Sequence, residues 1–148
     1  MELGANEILS GLWLGNIIDA KNLQFINSVD IVINCSKGIP FKSKKTRNVR
    51  VAVDDNLEPI EIKNLYILLP KITEFIHSSL KKNKIIFVHC HAGKQRSASV
   101  IVAYLMRYLR IPLDKAIRLV RTKRNIIFTP CVNFKTSLLK FEKDFKSS

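Results

Sequence analysis

The stretch Ile85-Ile86-Phe87-Val88-His89-Cys90-His91-Ala92-Gly93-Lys94-Gln95-Arg96-Ser97 decides how this chain is read. Ile85 to Val88 is short, apolar and rich in β-branched residues, the pattern of a buried strand. The chain then passes Cys90 and reaches Arg96 through a loop, and the strongly apolar run Ala98 to Tyr108 reads as a helix buried on most sides. A strand, a tight loop and a helix start together make an anion trap. Successive backbone N–H groups of such a loop can curl round a phosphate, and the helix adds its unpaired N–H groups and the positive end of its dipole. Gly93 permits a backbone conformation that a Cβ penalises. Arg96 offers a planar fork matched to two phosphate oxygens. The same field lowers the pKa of a thiol, so Cys90 is the candidate nucleophile.

Outward from this stretch the pattern repeats. Apolar strand-like runs stand at Leu12-Trp13-Leu14, at Ile31-Val32-Ile33 and at Val49 to Val53, where Val49, Val51 and Val53 alternate. Leu65, Leu68, Leu69, Ile72, Phe75, Ile76 and Leu80 recur at helical spacing, with Pro70 expected to kink the helix or divide it in two. Pro112 suits an early helical position ahead of Asp114, with Arg121, Lys123 and Arg124 at the far end. Phe134, Leu138, Phe141 and Phe145 form a closing amphipathic helix. Strands alternating with helices predict an α/β domain with a central, mostly parallel twisted sheet flanked by helices. Such sheets bind ligands at the carboxyl ends of their strands. The 148 residues suit a single domain, 1–148.

The chain carries 25 Lys+Arg against 12 Asp+Glu, a net charge of +13. That surplus suggests an acidic partner, whether nucleic acid, anionic lipid or phosphate, without choosing among them. Two stretches hold much of it: Lys37 to Arg50, which lacks any acid, and Arg107 to Arg124, whose one acid is Asp114. Neither interleaves aromatics as single-strand binders do. Hydrophobic residues at 47% exclude a disordered tail. No apolar run is long enough to span a membrane, and the first residues carry no secretory or mitochondrial signal pattern. Cys35, Cys90 and Cys131 lack metal-site spacing, so a reduced, intracellular setting is expected, in cytoplasm or nucleus.

Cys and Arg six apart are weak evidence alone. With His89, Gly93 and Ser97 required as well, the chance occurrence is on the order of one in a hundred thousand for this composition. The pattern His89-Cys90-x-x-Gly93-x-x-Arg96-Ser97 resembles the signature of the cysteine-dependent protein tyrosine phosphatases. Ala103-Tyr104-Leu105-Met106 resembles the dual-specificity branch, as do Leu12-Trp13-Leu14-Gly15-Asn16, Ile31 to Ser36 and the closing helix. The length is that of a small atypical member consisting of the catalytic domain only.

The resemblance implies a phosphatase-type phosphate-binding loop, His91-Ala92-Gly93-Lys94-Gln95-Arg96, between the last core strand and the buried helix. It implies hydrolysis of phosphotyrosine and phosphoserine/threonine in phosphorylated proteins through a phosphocysteine, with no metal and no cofactor. Cys90 attacks phosphorus, Arg96 clamps the phosphate, and Ser97 supports the sulfur as it leaves. His89 lies behind the loop and tunes the thiolate. An aspartate after the strand ending at Val53 protonates the leaving oxygen and later activates water. Asp54 is the expected acid and Asp55 the alternative. The interval from Asp54 to Cys90, 36 residues, exceeds the family's usual one, with the excess placed in Asn56 to Pro70.

Lys94 is similar to the basic residue of the phosphoinositide 3-phosphatase branch, although Gln95-Arg96-Ser97-Ala98 departs from it. Inositol lipid and the triphosphate end of RNA therefore stay as alternative substrates, RNA below lipid. A non-catalytic phosphoprotein-binding module is the third reading. Cys35 reads as a core residue with a redox role left open, and Cys131 as a bystander.

Overall fold

The computed structural model describes residues 4–146. Its first two strands, β1 (Asn6–Leu9) and β2 (Leu12–Gly15), form an antiparallel hairpin. The strand expected at Leu12-Trp13-Leu14 is β2, and Gly11 turns the chain into it from β1, because its φ of +84° is a left-handed turn conformation that glycine adopts without penalty. Helix α1 (Ile17–Lys21) follows at once. Asn16 caps it through a hydrogen bond from the Asp19 N–H, while Asp19 Oδ2 accepts the Asn16 N–H.

The remaining elements are α2 (Leu23–Ile26), β3 (Ile31–Asn34), β4 (Arg47–Arg50), α3 (Pro59–Lys81), β5 (Ile86–His89), α4 (Arg96–Tyr108), α5 (Leu113–Arg121) and α6 (Lys135–Lys146). The sheet order is β1-β2-β5-β3-β4, and every pairing except β1–β2 is parallel. The mixed α/β architecture with a mostly parallel sheet is the one expected.

Alternation along the strands assigns the two faces. Ile86, Val88 and Cys90 belong with Leu12, Leu14, Ile31 and Ile33 in the larger core, which α3, α4, α5 and α6 cover. Phe87 and Val32 belong to the smaller core, built with Phe25 and Ile26 of α2. There Phe87 meets Phe25 edge-on at 4.9 Å between ring centroids, a favoured aromatic geometry. Consecutive residues of β5 thus serve opposite layers, so Cys90 lies on the α4 side and His89 on the α1–α2 side.

Three boundaries differ from expectation. Ladder pairing of β4 covers Arg47–Arg50 rather than Val49 to Val53. Val51 and Val53 are buried because the chain continues extended across the core after pairing stops; their alternation marks burial, not pairing. Helix α3 runs unbroken through Pro70. The Leu65, Leu69, Ile72 and Ile76 side chains seat it on the core on both sides of the proline. Pro112 is the cap residue preceding α5, not part of its first turn. Among the described residues no helix is long and apolar enough to cross a membrane.

Candidate active site

Parallel strands β5 and β3 end side by side, and β5 delivers Cys90 to the carboxyl edge of the sheet. The loop from His91 to Gln95 then turns the chain into α4, whose first residue is Arg96. Helix α4 has no side-chain cap at this end, so its leading N–H groups face the loop without a local acceptor. Gly93 sits at φ +68°, and a Cβ there would lie 2.5 Å from the Gly15 carbonyl oxygen. Glycine is required at this position both by conformation and by space.

The Cys90 side chain is 2% exposed, and its Sγ lies 3.1 Å from Ser97 Oγ. Burial pushes the thiol's pKa up. The Ser97 hydroxyl and N–H, the Arg96 guanidinium and the Gly93 N–H outweigh burial and hold it below its ordinary value. The sulfur therefore sits in a field arranged for its anion.

Arg96 donates from Nη1 to the Val53 carbonyl at 3.0 Å. Its Nε is the one buried side-chain nitrogen or oxygen without a hydrogen-bond partner among the described residues. A buried guanidinium N–H left unpaired by the protein is a site for an anionic ligand oxygen.

The other loop residues have separate tasks. His91 is exposed and accepts the Ile17 N–H on its carbonyl at 2.9 Å, joining the loop to α1. Ala92 is exposed, and Lys94 is half-buried with its carbonyl accepting the Phe128 N–H at 2.8 Å. Gln95 is buried and bridges to the 131–133 segment. Its Nε2 donates to the Cys131 carbonyl at 2.7 Å and its Oε1 accepts the Asn133 N–H at 3.0 Å.

His89 Nδ1–H donates to the Cys90 carbonyl at 3.2 Å, and burial drives its pKa down to about 4. The ring is neutral at pH 7, so it orients the loop rather than supplying charge. The unfolded chain binds this proton near pH 6.5 and the folded chain near 4, so stability falls as pH drops through that interval. The loss amounts to about 3 kcal/mol from this residue. Urea unfolding of wild type and His89→Gln between pH 4 and 7 checks it: the wild type is expected to show the steeper decline.

The two candidate acids part company in their contacts. The Asp54 carboxylate pairs with Lys37 Nζ at 3.4 Å, and its N–H donates to Glu61 Oε1 at 3.0 Å. Glu61 is buried and takes Lys37 Nζ at 2.6 Å. The Lys37 hydrogen bond lowers the pKa of Glu61, and the same bond raises that of Lys37. The Asp55 carboxylate instead accepts the Asn133 Nδ2–H at 2.9 Å. Asn133 is the residue whose N–H binds Gln95 of the loop.

Cys35 is fully buried, and burial with the neighbouring Cys90 raises its pKa well above the ordinary value. Cys131 is exposed, its thiol donating to Asn133 Oδ1 at 3.3 Å. Several of the basic side chains bind backbone carbonyls rather than standing free. Arg50 donates to the Ser36 and Ile39 carbonyls, Arg107 to that of Pro70, and Arg121 to those of Ile127 and Phe128. Arg124, the last residue of the basic stretch Arg107 to Arg124, is 5% exposed and lies under the loop. Asn133, Glu61 and Lys37 were likewise not read as parts of the site. Only their contacts reveal them.

A family model described as "Dual specificity phosphatase, catalytic domain" matches residues 12–144. The chain belongs to that family, and its activity class is that of a protein tyrosine/serine/threonine phosphatase. Protein 123R of Invertebrate iridescent virus 6, whose name assigns it as a tyrosine phosphatase, is 36% identical over 96% of this chain and 94% of its own. Human dual specificity protein phosphatase 9 is 33% identical over 95% of this chain, which spans 36% of that longer protein. Among solved structures, DUSP15 superposes with a TM-score of 0.83 at 26% identity, covering 99% of this chain and 92% of that one. Human DUSP28 shares the fold, with a TM-score of 0.86 at 22% identity over 99% and 98% of the two chains.

Proposed function

We propose that the site cleaves phosphate monoesters on protein tyrosine and serine/threonine side chains through a phosphocysteine at Cys90. The observation that carries this reading is the geometry around Cys90, whose Sγ lies 3.1 Å from Ser97 Oγ at the start of α4 while Arg96 Nε stays buried without a protein partner. In the first step the Cys90 thiolate attacks phosphorus, the S–P bond forms and the P–O ester bond breaks. A carboxylic acid gives its proton to the departing oxygen. In the second step water attacks phosphorus, that carboxylate takes the water proton, and the S–P bond breaks to return the thiolate. Ser97 donates its hydroxyl hydrogen bond to the leaving sulfur. Arg96 and the loop amides hold the phosphoryl oxygens as charge builds on them.

The acid comes from the pair Asp54 and Asp55. Asp54 was the expected member, and the contacts support Asp55. Asp54 is engaged by Lys37 and by the Glu61 latch on its own backbone. Asp55 has a neutral amide for a partner, on the segment that Gln95 ties to the loop. Asp55→Asn is expected to lower turnover of an alkyl phosphate by 10²–10⁴-fold, the usual worth of a general acid. Asp54→Asn is expected to cost less than about tenfold, since a positioning contact is lost and no proton transfer. Steady-state assay of both variants on phosphoserine and phosphotyrosine peptides checks the assignment, and the reverse order would return the role to Asp54.

The substrates proposed are phosphorylated proteins, with intracellular location following from that chemistry. Side-by-side assay on phosphopeptide, inositol lipid and triphosphate RNA tests the substrate class, with phosphopeptide expected to be turned over best.

A further inference from the structure

From the contacts beneath the loop we infer that Arg124 is a positioning residue for the reaction: it fixes the carbonyls of Ala92 and Gly93 from behind, so that the loop amides point at the phosphate, and sets a second fixed cation under the sulfur. The inference rests on the function proposed above and concerns the same site.

Arg124 follows α5 and is almost fully buried. Its Nε donates to the Gly93 carbonyl at 2.9 Å and its Nη2 to the Ala92 carbonyl at 3.4 Å. Its Nη1 is anchored on the N-terminal segment, on the Gly4 carbonyl at 2.7 Å and Asn6 Oδ1 at 2.9 Å. One rigid fork thus ties the N-terminal segment to two consecutive loop carbonyls. A peptide unit whose carbonyl is held on one side presents the following N–H on the other, which is the geometry a phosphate cradle needs. Gly93 accommodates this approach: a Cβ there would lie 2.7 Å from Arg124 Nη2.

The charge matters as well as the fork. Among the described residues Arg124 has no carboxylate within ion-pair distance. Its buried charge interacts with Asp19 and with Cys90, while burial lowers its own pKa from an ordinary value high enough to keep it charged. The ionisable groups acting on Cys90 are therefore Arg96 from α4, Arg124 from beyond α5 and Cys35 beyond β3, with His89 beside it neutral at pH 7. A buried cation without its own carboxylate is stabilised when the thiolate or a phosphate dianion is present.

The test uses the full chain and reads Cys90 by iodoacetate alkylation across pH, with inorganic phosphate as protectant. In Arg124→Ala the alkylation midpoint is expected to rise by about one pH unit. Phosphate protection is expected to weaken about tenfold or more, the worth of one lost set of charge-assisted hydrogen bonds. Millimolar guanidinium should restore part of the protection. Arg124→Lys keeps the charge and loses the fork, so its midpoint should stay near wild type while protection weakens. Lys123→Ala removes an exposed charge one residue away and should change neither. If Arg124→Ala does not fold, Arg124→Lys decides: wild-type protection in that variant overturns the inference. So does an Arg124→Ala protein that folds and matches Lys123→Ala in both readouts. A wild-type chain that turns over no phosphate ester removes the proposed function, yet alkylation and protection still score Arg124.

Discussion

Cys90→Ser is expected to reduce hydrolysis of an aryl phosphate by about 10⁵-fold or more, the scale seen when a covalent nucleophile is removed. The replacement changes the reacting atom and little else. Serine's Oγ occupies nearly the place of Sγ, keeps a partner in Ser97 and leaves the loop amides where they are. What disappears is the anion. The fields of Arg96, Ser97 and the loop N–H groups are sufficient to depress a thiol, but an alcohol starts many pH units higher and stays protonated. Binding and chemistry should therefore separate. Turnover collapses while inorganic phosphate still binds within a few-fold of wild type, as measured by calorimetry. Retention of more than a hundredth of wild-type turnover would remove Cys90 from the nucleophile's role.

Arg96→Lys is the second large effect, expected at about 10³–10⁴-fold in kcat/KM, or about 4–5 kcal/mol of transition-state stabilisation. The charge is kept, so the loss measures geometry. Arg96 uses Nη1 on the Val53 carbonyl and leaves Nε buried and free for a phosphoryl oxygen. An ammonium group is a point charge and cannot serve both directions from one plane. The Val53 carbonyl also loses its donor, which loosens the segment leading into Asp54 and Asp55. Both kcat and phosphate affinity should fall, because the fork contacts ground state and transition state alike and tightens in the latter. Activity within tenfold of wild type would mean that another donor carries the phosphate.

These two effects were legible from residues 85–97 because strand, loop and helix are contiguous. Local geometry alone brings Cys90, Gly93, Arg96 and Ser97 to one place. The acid was legible only as a pair. Which carboxylate serves depends on Lys37, Glu61 and Asn133, and Asn133 lies 78 residues from Asp55. Arg124 was misread for the same reason. In sequence it closes a run of bases that looks like a solvated face, and its partner Asn6 is 118 residues away. Hydrophobic pattern located the buried tail Val51 and Val53 but overstated the paired strand, since burial and ladder pairing are separate properties of an extended chain.

By itself, then, the sequence determined the α/β class and the strand, loop and helix start that gather Cys90, Gly93, Arg96 and Ser97, because short-range periodicity and a contiguous motif encode each of them. The tertiary structure decided the rest. It placed Arg124 under the loop, closed the Lys37–Glu61 latch on Asp54, left Asp55 beside Asn133 and set Arg50, Arg107 and Arg121 against backbone carbonyls. Each is a contact between segments far apart in the chain. No local pattern specifies such contacts, because they exist only once the sheet has brought the carboxyl ends of its strands together.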